Sequence, residues 1–105
     1  MNTKNLFSAA AMSAMLLWAG AASALDGAQL YKTKTCFSCH GMDAKKTILP
    51  TYPKLAGQNA AYAAQQMRDI KSGARSNGQS AAMKGVMHLV NDEEIDAIAQ
   101  WLSTL

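Results

Sequence analysis

The residues best suited to chemistry stand together as Cys36-Phe37-Ser38-Cys39-His40. These are the only 2 cysteines of the 105-residue chain. Cysteines three positions apart share one side of a helical turn. From there both thiols can form thioethers with the two vinyl groups on one edge of a porphyrin. The next residue, His40, then presents an imidazole to the iron. C-x-x-C-H is accordingly the attachment pattern of haem c.

The same residue types also serve three other chemistries. A Cys36–Cys39 disulfide suits an oxidising compartment. A thioredoxin-like dithiol needs a βαβ setting, and no strand-rich segment precedes Cys36. A zinc site needs further ligands, and only His88 remains to offer one. Haem is the reading that uses all three residues.

The elements that must position this motif lie downstream of a distinct leader. Residues 1–24 carry Lys4 near their start, an apolar run from Leu6 to Trp18, and the small-residue exit Ala22-Ser23-Ala24. That is the pattern of a cleaved secretory signal peptide. Cleavage after Ala24 leaves residues 25–105 as one domain, delivered to the periplasm. The alternative is a retained membrane anchor over residues 6–24, although the Ala, Ser and Gly content makes that run weakly apolar. A remaining domain this small buries little core, which favours a bound prosthetic group. The formal net charge of +3 is too modest to demand nucleic acid or an anionic membrane. Lys32, Lys34, Lys45, Lys46 and Lys54 cluster around the motif and read as a solvated face.

Within residues 25–105 the pattern is helix and loop, an all-α class. Asp26 caps a first helix that runs toward Cys36, with Leu30 and Tyr31 on its apolar stripe. Gly41 permits a sharp turn after the motif, and Pro50 and Pro53 keep the following stretch from being helical. Asn59 caps a helix from Ala60 to about Ser72, stopped by Gly73, with Ala63, Met67 and Ile70 at helical spacing. Residues 81–90 are short and apolar, and their pattern assigns no conformation. Asn91 opens the last helix, with Asp92, Glu93 and Glu94 at its positive end and Glu94 placed for a capping box. Ile95, Ile98, Ala99, Trp101, Leu102 and Leu105 form its expected buried face.

Taken together these landmarks resemble a class I c-type cytochrome of the small bacterial monohaem branch. The resemblance covers nearly all of residues 25–105. It rests on Cys36 to Gly41, the run Tyr52-Pro53-Lys54-Leu55-Ala56-Gly57-Gln58, Tyr62 with Gln66-Met67, Gly73-Ala74-Arg75, and Asn91 to Ile95. It implies a small cytochrome c fold wrapped around one haem, with the first and last helices crossing through Leu30 or Tyr31 and Trp101. It also implies that the Pro53 carbonyl receives the Nδ1–H of His40, a bond that orients a ligating imidazole. Similar residues in the family suggest Arg75 and Tyr62 for the haem propionates.

An electron carrier needs a second axial ligand, and a thioether raises the potential. Met42 is too near His40, and Met67 falls on a core stripe. Met83, Met87 and His88 remain. The family places this ligand several residues before the last helix, and counting back from Val90-Asn91-Asp92 selects Met83, with Met87 the alternative if the loop shifts by one turn and His88 the alternative that gives a bis-histidine haem. The resemblance thus implies a one-electron carrier that is not an enzyme. It would serve redox protein donors and acceptors, a membrane-bound oxidase or reductase among them, with no small-molecule substrate and no nucleic acid. The alternative is a haem-bearing subunit of a larger oxidoreductase. A haem sensor with an open iron site is a third possibility.

Overall fold

The computed structural model describes residues 25–105, so the expected signal peptide over residues 1–24 lies outside it. Among the described residues the chain forms helices and no strand. The first, α1, spans Gly27–Thr33. It starts where the Asp26 carboxylate accepts from the Gln29 N–H at 3.1 Å, meeting one of the unpaired donors of the first turn. Thr35 then takes a left-handed φ of 65°, and the chain re-enters helix at Cys36. The single turn α2 covers Phe37–His40 and carries the motif. Gly41 ends it at φ 88°, where a Cβ would overlap the Lys46 carbonyl, so the residue must be glycine.

The loop that follows folds back on the motif rather than straying from it. Asp43 accepts from the N–H groups of Lys45 and Lys46 at 2.9 and 3.0 Å, closing a turn. Those bonds hold its exposed carboxyl below the usual carboxylate range. Ala44 is fully buried, and its carbonyl accepts from Leu55 and Ala56. The Ile48 N–H donates to the Cys39 carbonyl at 3.0 Å. Gly57 donates to the Leu102 carbonyl at 2.8 Å, which ties the loop's far end to the C-terminal helix.

Three longer helices complete the domain. Helix α3, Ala60–Ser72, begins at the Asn59 cap and ends on left-handed Gly73. Ala64, Met67 and Ile70 form its buried stripe. The short apolar stretch left unassigned by its pattern becomes α4, Ser80–Met87. Helix α5, Asp92–Ser103, opens on a complete capping box between Asn91 and Glu94. Ile95, Ile98, Ala99 and Leu102 are buried along it. Leu105, expected on the same face, is 41 % exposed because the helix stops at Ser103 and carries the period no further.

Helix α5 packs on both α1 and α3, and α4 lies on α3. The α1–α5 crossing depends on backbone contact. Gly27 is buried, and a Cβ there would run into the Ala97 carbonyl oxygen. One turn later the Tyr31 and Trp101 rings meet at 5.0 Å, tilted by 50°. Gly27→Ala should therefore separate the two helices, costing about 1–3 kcal/mol as an overpacked contact does. Thermal unfolding of the haem-loaded variant checks this. An unchanged midpoint would show that the crossing tolerates the methyl.

Candidate haem site

The motif forms one part of a cleft of about 450 Å³. Cys36, Cys39 and His40 of the α2 region line it, together with Tyr52, Pro53 and Leu55 of the loop. Met67 and Ile70 of α3, Met83 and Met87 of α4, and Ile98 and Leu102 of α5 complete its apolar surface. The volume lies within the range of cofactor sites, as does a largely apolar wall with a few placed polar groups. Every helix contributes, so the cleft exists only in the folded chain.

His40 is buried, with its Nδ1 at 2.8 Å from the Pro53 carbonyl oxygen. A carbonyl only accepts, so Nδ1 carries the proton and Nε2 keeps the free lone pair. Burial pushes the imidazole below its ordinary pKa, and the Pro53 bond opposes that shift only in part. The ring is thus kept neutral, the form that binds metal. Tyr31 donates its hydroxyl to the Gly41 carbonyl at 2.5 Å. Burial foremost, then the charges of Cys36, Asp43 and Cys39, raises its phenol well above the ordinary value, so it remains a donor. The chain on the far side of His40 is thereby fastened to α1.

The Cys36 thiol has the wrong electrostatics for the nucleophile of a dithiol redox centre. Burial pushes Cys36 up to about 11. Catalytic C-x-x-C thiols are instead lowered, because the thiolate is the nucleophile. Among the described residues no three His, Cys, Asp or Glu side chains are grouped to hold a bare metal ion. The cleft suits a flat apolar macrocycle attached at one edge.

The candidates for the second axial position separate by exposure. Met83 and Met87 both line the cleft, Met83 half-buried and Met87 2 % exposed within the core. His88 is exposed and takes no part in the lining. Met42 is 64 % exposed. Met67, read as core filler, is buried and also faces the cleft. The ionised groups at the cleft are both cations, Lys54 and Arg75, and no Asp or Glu lines it. That balance matches a ligand carrying carboxylates. Lys54, grouped by sequence with a solvated face, therefore sits at the cleft as well. Arg75 donates to Gln66 Oε1 at 3.0 Å, and Tyr62 is exposed at the cleft. Lys54 and Gln66 belong to the family landmarks, but their place at the cleft depends on how the loop and α3 pack.

The cytochrome c family profile matches residues 24–105. The chain belongs to the cytochrome c family. Its cofactor is haem c, attached covalently through Cys36 and Cys39. A thiosulfate dehydrogenase electron acceptor of Stutzerimonas stutzeri (strain A1501) is 36 % identical over 99 residues, 88 % of this chain and 44 % of that protein. Cytochrome c-554(548) of Halomonas halodenitrificans is 36 % identical over 73 residues, 70 % of this chain and 87 % of the relative. The crystal structure of reduced recombinant cytochrome c4 from Pseudomonas stutzeri superposes with a TM-score of 0.67 at 31 % identity, covering 75 % of this chain and 46 % of that one. This cytochrome c thus spans less than half the length of some relatives and most of others. The helical, strand-free architecture expected from the sequence is that of the cytochrome c fold.

Proposed function

We propose that the chain is a one-electron carrier in which His40, through Nε2, and Met83, through its thioether, would ligate the haem iron. The observation that carries this reading is one apolar cleft lined by both thiols, a buried imidazole kept neutral, and the thioethers of Met67, Met83 and Met87. When bound, the haem supplies a ferrous/ferric couple that moves one electron at a time. The residues of the chain do the rest. Cys36 and Cys39 would hold the haem covalently, His40, oriented by the Pro53 carbonyl, would ligate its iron, and Met83 would supply a thioether ligand. Arg75, Lys54 and Tyr62 face the carboxylates. On this reading the haem carries the chemistry and the protein sets its burial and ligation, acting as a carrier rather than an enzyme.

Donors and acceptors are then other redox proteins. The relative named as an electron acceptor of thiosulfate dehydrogenase points to a dehydrogenase of that kind as one donor. The carrier acts in the periplasm as residues 25–105, after removal of residues 1–24. Among the described residues no helix is long and apolar enough to cross a membrane.

Absorption spectra of the oxidised and reduced protein, made in cells that attach haem, test the central reading. Sharp c-type bands on reduction are expected, with the weak near-red band of ferric iron bound to methionine sulfur. Haem without that band would point to an iron site open on one side. Absence of covalent haem would overturn the reading altogether. N-terminal sequencing of the same material should begin at Leu25, whereas retained residues 1–24 would favour an anchor.

A further inference from the structure

Helix α4 carries Met83 but has little to hold it in place by itself. Its 8 residues are too few for independent helicity in water. No side chain caps its start, and Gly85 lies inside it with open space where a Cβ would be. A glycine there weakens the helix and answers no packing need. The position of α4 must therefore come from its attachments. Its body lies on α3, and its end runs through residues 88–91 into the Asn91 cap of α5.

At that turn, Lys71 of α3 donates its ammonium to the Val90 carbonyl. The Val90 side chain is buried, so the carbonyl belongs to an anchored residue. Glu94, in the first turn of α5, pairs instead with Lys34 at 3.4 Å. One cation thus joins the last turn of α3 to the turn connecting α4 and α5. A charge-assisted bond is stronger than a neutral one.

We infer that Lys71 is a positioning residue for Met83, latching the turn after α4 to α3 so that the thioether stays over the cleft. The inference rests on Met83 being the axial ligand. Losing the latch frees α4 to swing away, and an external ligand then competes more easily for the iron.

Imidazole titration of the ferric, haem-loaded protein tests this. Lys71→Met keeps the length of the stem and removes the ammonium. Imidazole should bind it about tenfold more tightly than wild type, equivalent to about 1.4 kcal/mol. Lys71→Arg, which retains a cationic donor, should restore wild-type affinity. An unchanged imidazole affinity in Lys71→Met overturns the inference even if the thermal midpoint falls, because a merely structural role lowers stability alone. Lys71→Gln serves as the same test should Lys71→Met fail to accumulate haem. Met83→Ala run in parallel separates the two levels: if it keeps the methionine band, the ligand assignment fails and the inference fails with it.

Discussion

Met83→Ala removes the methionine band from the ferric spectrum and opens the ferrous iron to carbon monoxide. On the proposed ligation the variant lacks one ligand of the iron, and the small side chain leaves space at the cleft wall where Met83 packs half-buried against the core. Because a thioether favours the ferrous state, its loss lowers the reduction potential, by on the order of 0.1 V or more given how widely axial ligands set haem potentials. Met87→Ala should act differently. Met87 is almost fully buried, so truncation costs about 2–5 kcal/mol of stability while the methionine band persists. The reverse pattern, with the band lost in Met87→Ala and kept in Met83→Ala, would assign the ligand to Met87.

His40→Ala should leave haem attached through Cys36 and Cys39 but without its low-spin spectrum. Cyanide or imidazole added to the variant should then occupy the vacated position. The effect is large because nothing nearby replaces the imidazole: His88 is exposed and away from the cleft. The Pro53 carbonyl, which receives Nδ1–H at 2.8 Å, would also lose its partner. Pro53→Ala supplies the contrast. The acceptor is a backbone carbonyl, which alanine also offers, so only the ring's restriction of the loop is lost, about 0.4–1 kcal/mol. A normal low-spin spectrum in His40→Ala would show that another residue ligates the iron.

Features encoded by near neighbours were legible in the sequence. The caps at Asp26, Asn59 and Asn91 each pair a side chain with an N–H three residues on, and all three are present. Gly73 stops α3 because only a left-handed residue closes the helix there. The haem motif is equally local. Features made by distant segments were not legible. Ala44 is an unremarkable loop alanine until Leu55 and Ala56 close over its carbonyl. Nothing in the sequence around Lys71 separates it from the other cations, since its partner lies across the turn that precedes α5. Lys54 belonged to a charge cluster in sequence and lies at the cleft in space. Met83 and Met87 stand four residues apart on one helical face, so periodicity cannot rank them. One position further, His88 leaves that face, and its exposure follows.

The crossing of α1 and α5 also sets the order in which the cleft can close. Gly27 meets Ala97 and Tyr31 meets Trp101, so the two ends of the domain must find each other. A growing chain presents Cys36, Cys39 and His40 early and the α5 residues Ile98 and Leu102 last. Until those two arrive, the cleft lacks part of its wall and the thiols stay accessible. In a chain that folds as it emerges, thioether formation would precede completion of the crossing, and the C-terminal helix would close the cleft last.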